Sequence, residues 1–278
     1  MKIGSHVSIK KGYFGAAKQA VENHASAFQY FPKNPRSLSI KNFDRGDALE
    51  CKEFCQAHQL QSVAHTPYST SFTPVKEKEE LTIASLFNDL EIANACGSIG
   101  VVVHFGSQIS KTDPLASYHL MLEMLNRLLS QWEGESLILL ENNAGTKGAL
   151  GTTFEELVQV RSLCQYPEKI GFCLDTCHAF ASGLWTAENT RGFFEKGKKL
   201  EYFEHLKVIH LNNSKFPCLS RKDRHANIFF GNGLIPVEQL KELITNPILQ
   251  FIPLILETPD NEGISHKEEI EMLLKKWG

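Results

Sequence analysis

Eight short apolar runs, each followed by a longer stretch with helical spacing, constrain this chain more than any other feature. The runs fall at 2–7, 26–31, 61–66, 100–105, 136–141, 170–175, 207–212 and 252–257. Most are rich in Val, Ile, Leu and Phe along their whole length, the pattern of strands buried on both faces of a parallel sheet. Between them, periodic segments predict helices over 15–23, 48–58, 76–95, 115–132, 154–163, 236–244 and 266–277. In one of these Leu122, Leu125, Leu129 and Trp132 recur at three- to four-residue spacing, and Asp113-Pro114 marks its start. Eight strands alternating with helices fit a closed (β/α)8 TIM barrel better than an open doubly wound sheet. No Pro-, Gly- or Ser-rich linker, low-complexity tract or sequence repeat divides the 278 residues, so one barrel domain over 1–278 is expected.

Three connections, 32–46, 67–75 and 213–234, are long and polar, and all three follow strands. A barrel places such connections on its C-terminal face, where active sites form. Composition narrows the function without naming it. With 29 Lys plus Arg against 32 Asp plus Glu the formal charge is -3, so a polyanionic partner must be held by local basic groups. Seven scattered cysteines suit a reducing compartment better than a disulfide framework, and Cys51, Cys55 and Cys177 read as buried thiols. Met1-Lys2-Ile3-Gly4 runs straight into the first apolar run, and no apolar run approaches the roughly 18 residues of a membrane span. A soluble, cytoplasmic protein, monomeric and without a membrane partner, is expected.

Six strands in succession end on, or next to, a good metal ligand: His65, His104, Glu141, Asp175, His210 and Glu257. They recur about one βα unit apart, so a barrel would converge them on one mouth. His178, three residues after Asp175, and Asp223 and His225 add three more from the loops after strands six and seven. One such residue alone is more often a cap or a satisfied core group. Several carboxylates buried together are different, because they require positive charge from outside the chain. Zinc takes about four ligands, so nine donors suit two or three ions, with a carboxylate bridging. The mixed nitrogen and oxygen set favours zinc, with manganese or iron as possible substitutes. Such a cluster clamps a phosphate diester, which makes phosphodiester hydrolysis the leading reaction. His24, His58, His119, His205 and His266 fall on helices or at their ends and are expected at the surface.

These motifs resemble the endonuclease IV family of zinc-dependent apurinic/apyrimidinic endonucleases, over essentially the whole chain. The resemblance rests on Gly4-Ser5-His6-Val7-Ser8, Lys33-Asn34-Pro35-Arg36, His65-Thr66-Pro67-Tyr68, Glu141-Asn142-Asn143-Ala144-Gly145, Leu174-Asp175-Thr176-Cys177-His178-Ala179, His210-Leu211-Asn212, Asp223-Arg224-His225 and Ile255-Leu256-Glu257-Thr258. It implies three zinc ions: one held by His65, His104 and Glu141, a second by Glu141, Asp175, His210 and Glu257, and a third by His178, Asp223 and His225. It implies cleavage of double-stranded DNA on the 5′ side of an abasic nucleotide, leaving a 3′-hydroxyl, with trimming of blocked 3′ ends. Glu141 and Glu257 would be catalytic through the metals they hold. Arg36 and Tyr68 match loop residues that help extrude the abasic nucleotide into the site. Lys33, Arg221, Lys222 and Arg224 would contact phosphates.

The chain departs from the family pattern at Phe105, where Pro is usual, at Asn213, where Asp is usual, and at Ser69, where an apolar wedge is common. Phe229 and Phe230 also stand before the turn-like Gly231-Asn232-Gly233. Two other readings are distinguishable. A sugar isomerase or epimerase on the same barrel would need one or two metals and no third trio, and a lesion-binding protein without catalysis would not need all nine donors.

Overall fold

A strand with polar residues only at its C-terminal end has one way to bury its apolar length, which is against other strands inside layers of helix. The computed structural model, which describes residues 1–186, 188–260 and 263–278, shows this arrangement. Its strands are β1 (Ile3–His6), β2 (Ala27–Tyr30), β3 (Gln61–His65), β4 (Gly100–His104), β5 (Leu137–Glu141), β6 (Ile170–Asp175), β7 (Leu206–His210), β8 (Asn213–Ser214), β9 (His225–Ala226) and β10 (Leu254–Leu256). The order β1-β10-β7-β6-β5-β4-β3-β2 closes on itself, and every pair in that circle is parallel. All eight expected strands are present, within two residues of their expected bounds at each end. The fold is the (β/α)8 barrel.

The helices are α1 (Gly12–Glu22), α2 (Arg45–Ala57), α3 (Glu79–Ala95), α4 (Ala116–Leu129), α5 (Phe154–Leu163), α6 (Thr176–Ser182), α7 (Thr190–Lys199), α8 (Val237–Ile244) and α9 (His266–Trp277). Their starts are chemically specified. Thr153 with Glu156 and Ser265 with Glu268 form reciprocal capping boxes at α5 and α9, and Asp44 caps α2. Two helices, α6 and α7, were not expected from the sequence. His178 therefore lies on a helix, not in a loop, and His225 lies in the small antiparallel hairpin of β8 and β9. Among the described residues no helix is long and apolar enough to cross a membrane. All seven cysteines are unpaired, and six of them are buried.

Alternation along each strand divides the barrel interior into a dry plug and a polar rim. Ala27, Val63, Val102, Leu139, Cys173, Val208 and Ile255 form a separate buried cluster inside the barrel. Each precedes by two residues, and so shares a face with, Gln29, His65, His104, Glu141, Asp175, His210 and Glu257 respectively. The larger cluster lies between strands and helices, with Phe28, Phe172 and Leu256 among its members. Closure demands close backbone approach at Gly4, where a Cβ would stand 1.5 Å from the Ala27 carbonyl oxygen, so no larger residue fits.

One expectation fails here. Lys33 is not available to DNA: it is buried at 4% exposure, its Nζ lies 3.1 Å from Asp89 Oδ1, and it donates to Ser85 O at 2.7 Å and Ser85 Oγ at 2.8 Å. The physical reason is that the β2–α2 connection turns inward, and an ammonium taken from water must meet acceptors on α3. Burial lowers the Lys33 pKa and pushes Asp89 up to about 7, so desolvation outweighs the attraction of the pair for both partners. Asp89→Leu leaves that ammonium unpaired and is expected to cost roughly 3–5 kcal/mol in urea denaturation. The double variant Lys33→Met/Asp89→Leu recovers most of the loss, and equal instability of single and double variants would show that the pair is not the cause.

Candidate metal centre

The six strand-end residues and the three from later segments do meet. His65, His104 and Glu141 bring donor atoms within 4.8 Å of one another, as do Glu141, Asp175, His210 and Glu257, and as do His178, Asp223 and His225. Glu141 belongs to two of the groups. It is buried at 1% exposure, with Oε2 at 3.1 Å from His104 Nδ1 and 3.6 Å from His65 Nε2, and Oε1 at 2.8 Å from His210 Nδ1. Asp175 links the second and third groups through His225 Nε2 at 3.5 Å, and Asp223 lies 3.3 Å from both His178 Nε2 and His225 Nε2. His65, His104, His178, Asp223, His225 and Glu257 line a cavity of about 280 Å³ at one mouth of the barrel, with Tyr68 and Phe31 beside them. The other three donors are buried.

Each local fold explains its donor. Asp175 ends β6 and caps α6, accepting the His178 amide at 2.6 Å, so one carboxylate both starts that helix and sets where His178 stands. Asn142 holds the same corner, donating to Asp175 O at 3.0 Å and accepting from Asp175 N at 2.7 Å. Asn212 donates to Asp175 Oδ2 at 2.7 Å and accepts from Glu257 N at 2.9 Å. The histidines are oriented through their second nitrogens. Nδ1 of His65 faces Thr66 O at 2.8 Å, that of His178 faces Asn142 O at 2.9 Å, and that of His225 faces Glu257 O at 3.3 Å. A ring whose far nitrogen is tied to a carbonyl keeps a proton there, so the nitrogen facing the cluster is the one that gives up its proton to a metal, as in metal-binding histidines.

The electrostatics agree with that geometry. Burial alone would raise the Glu141 carboxyl, yet the facing His104 and His210 hold it well below the usual range. Burial opposes ionisation of Glu257 also, and His210 and His225 outweigh it to leave a value of about 2. On the histidine side burial is overcome by Asp175 and Asp223, which lift His178 well above its ordinary value and His225 to about 9. Glu141 Oε2 and His225 Nε2 are nonetheless buried without a hydrogen-bond partner. Orphaned donor atoms aimed into a cluster of anions and imidazoles are the groups a dication satisfies, and the mixed set fits zinc.

Several contributors were not visible in the sequence. Gln29 and His6 complete the rim from β2 and β1, so all eight barrel strands supply a polar side chain there. His266, expected at the surface, is only 13% exposed in its side chain and pairs with Thr258 O at 2.8 Å beside the cavity. His205 is half-buried as well, since it precedes β7 and packs against Phe172, while His24, His58 and His119 are exposed as expected. Glu269 on α9 is fully buried and accepts from Ile228 N at 2.6 Å, Thr258 Oγ1 at 2.6 Å and Asn227 Nδ2 at 2.9 Å. It thereby ties the segment carrying His225 to the one carrying Glu257.

Arg36 is exposed and Tyr68 is 67% exposed, and the two loops that carry them are joined by Tyr68 N donating to Pro35 O at 2.9 Å. The Tyr68 ring rests edge-on against Phe31, with centroids 5.1 Å apart. Arg221, Lys222 and Arg224 are exposed on the connection between β8 and β9.

Comparison with known proteins places the chain in a family. A family model described as a xylose isomerase-like TIM barrel matches residues 17–276. The chain is 41% identical to a probable endonuclease 4 of Symbiobacterium thermophilum over 271 residues, 97% of either chain. It is 36% identical to a probable endonuclease 4 of Thermosipho melanesiensis, covering 100% of this chain and 99% of that one. The solved endonuclease IV of Thermus thermophilus superposes with a TM-score of 0.84 at 33% identity, covering 100% of this chain and 98% of that one. A D-tagatose 3-epimerase-like protein, at 19% identity and a TM-score of 0.70, shares the fold alone. The chain belongs to the endonuclease IV family of hydrolases.

Proposed function

We propose that this protein is a DNA repair endonuclease that hydrolyses the phosphodiester 5′ to abasic sites, leaves a 3′-hydroxyl and trims blocked 3′ ends, using three zinc ions. The observation that carries this reading is the convergence of nine donors into three groups, each within 4.8 Å, two of which share Glu141. Endonuclease 4 relatives support the choice of nucleic acid over sugar as substrate. In this reading His65, His104 and Glu141 hold one ion, Glu141, Asp175, His210 and Glu257 a second, and His178, Asp223 and His225 a third. Manganese or iron would fit the same donors less selectively. Bound there, the ions lower the pKa of water and offset charge on the phosphodiester.

The protein's own part is to hold, orient and exclude. Glu141 and Glu257 keep the donors in place, and Glu257 also lines the open cavity where the scissile phosphate would lie. Arg36 and Tyr68 stand on two coupled loops at the rim, placed to enter the groove beside an abasic nucleotide whose missing base lowers the cost of extrusion. Arg224, with Arg221 and Lys222, supplies the local positive charge that the acidic average conceals. The reading is of one barrel domain over 1–278, acting as a monomer on double-stranded DNA in the cytoplasm.

Purified protein is expected to carry close to three zinc equivalents and to nick an abasic oligonucleotide, with chelation abolishing both. Glu257→Gln should lower kcat by at least about 100-fold while sparing DNA affinity. One metal equivalent together with sugar turnover would overturn the assignment.

Metal and protons compete for the same imidazoles, which sets a pH signature. In metal-stripped protein His225 titrates at about 9 against an ordinary 6.5, raised above its unfolded value. That stabilisation is fully present below about 6.5 and is lost as pH rises through about 9. Zinc requires the deprotonated ring, so its affinity rises over the same window. Thermal melts of stripped protein should therefore fall in Tm between pH 6.5 and 9, while the gain in Tm on adding zinc grows. A stripped-protein Tm that is flat across this window would contradict the Asp175–His225–Asp223 arrangement.

A further inference from the structure

Strand β2 reads Ala27-Phe28-Gln29-Tyr30 and is buried at every position, so the amide of Gln29, at 0% exposure, must find partners inside the barrel. It has three. Nε2 donates to Glu257 Oε1 at 2.6 Å and lies 3.3 Å from His6 Nδ1, while Oε1 lies 2.8 Å from His210 Nε2. The direction of the amide is forced, because an ionised carboxylate only accepts and so must face the NH2 end. Oε1 then faces His210, whose Nε2 must carry the proton. With no ion bound, Nδ1 donates to Glu141 Oε1 at 2.8 Å, with Glu257 Oε2 at 3.2 Å and Asp175 Oδ2 at 3.9 Å around it, and it is the nitrogen that would give up its proton to an ion held among those carboxylates.

Of the cluster histidines 65, 178, 210 and 225, His210 alone has its far nitrogen tied by a side chain instead of a backbone carbonyl. We infer that Gln29 is a positioning residue for the metal held by Glu141, Asp175, His210 and Glu257: through one amide it fixes the tautomer of His210 and the rotamer of Glu257. The inference rests on the metal-site reading above. The amide's partners are Glu257, His210 and His6, so it acts by presetting two donors of one subsite. Its loss should therefore weaken one ion of three and leave the other two in place. A general packing defect would weaken all three and lower Tm in proportion.

Gln29→Met, close in length and volume, tests this by titration of metal-stripped protein with Co2+, alongside Gln29→Leu. Wild-type protein should retain three equivalents through gel filtration. The variants should retain two, with the third bound roughly 10- to 100-fold more weakly and the cobalt absorption spectrum changed. Excess Zn2+ should restore kcat with little change in KM for abasic DNA. A measurement on the unaltered protein stands independently of how the variants fold. Proton–nitrogen correlation spectra of zinc-loaded wild type with isotopically labelled histidine should show His210 protonated at Nε2. Three tightly held equivalents in both variants, or a His210 proton on Nδ1, would overturn the inference alone. Wild-type protein that takes up fewer than three equivalents would overturn the metal-site reading, and this inference with it.

Discussion

One carboxylate, Glu141, lies within 3.6 Å of four imidazoles, those of His65, His104, His178 and His210. A carboxylate at 1% exposure in a barrel otherwise plugged by Val, Leu and Ile is tolerable only because those rings, or cations in their stead, face it. Much of the rest of the mouth follows from that requirement. The apolar plug two residues below it excludes water from beneath, and the alternation of each strand then fixes which residues rise to the rim. Parallel strands place all eight C-terminal ends on one side, so the ring of polar ends is a consequence of topology.

What the barrel cannot do by itself is hold the donors that lie beyond the strand ends. His178, Asp223 and His225 come from α6 and from the connection and hairpin after β7, and such segments are positioned only by further polar contacts. Asp175 caps the helix that carries His178, and Glu269 reaches from α9 to bind the segments that follow β9 and β10. Lys33 performs a similar task after β2, where its contacts to Asp89 and Ser85 fasten the β2–α2 connection to α3 just before Arg36. Buried polar contacts of this kind rigidify a site at the cost of desolvation. They recur here where a loop must be as precise as a strand.

The strands and most helices were legible because apolar period and helix caps are local properties of the chain. Six of the eight rim residues were legible for the same reason, being ligand types at the ends of apolar strands. Gln29 and His6 were not. An amide is not a ligand type, and His6, though it lies at the end of the first apolar run, was not counted among the donors, so neither stands out until closure brings Glu257 and His210 across the barrel. Helix α6 was hidden because it is only seven residues long and its cap, Asp175, also serves the cluster. Helix α7 was hidden by its charge: Arg191, Lys196, Lys198 and Lys199 surround the two phenylalanines it buries. Lys33 was misread because sequence reports the charge of a side chain and not the direction in which its loop turns.

The three departures from the family pattern become intelligible at this level. Phe105 takes the place of a proline, and a Cβ on Gly151 would stand 2.5 Å from its ring, so the aromatic side chain and the glycine occupy one space together. Asn213 stands where the family uses Asp, and its amide is needed as it is. Nδ2 donates to Ile235 O at 3.0 Å while Oδ1 accepts from Ile235 N at 2.8 Å and Ser214 N at 2.7 Å, so a carboxylate would lose the first contact and leave a buried carbonyl unpaired. Ser69 is exposed and short beside Tyr68, and offers no apolar surface to a stacked base. In the proposed reading, wedging at this rim would then fall to Tyr68 and Arg36. The ring of Tyr68 is backed by Phe31 at 5.1 Å, and Phe31 packs in turn on His65 at 5.6 Å, so the exposed aromatic is braced against the same imidazole that faces Glu141. The surface that would meet DNA and the cluster that would cut it therefore share one packed aromatic column.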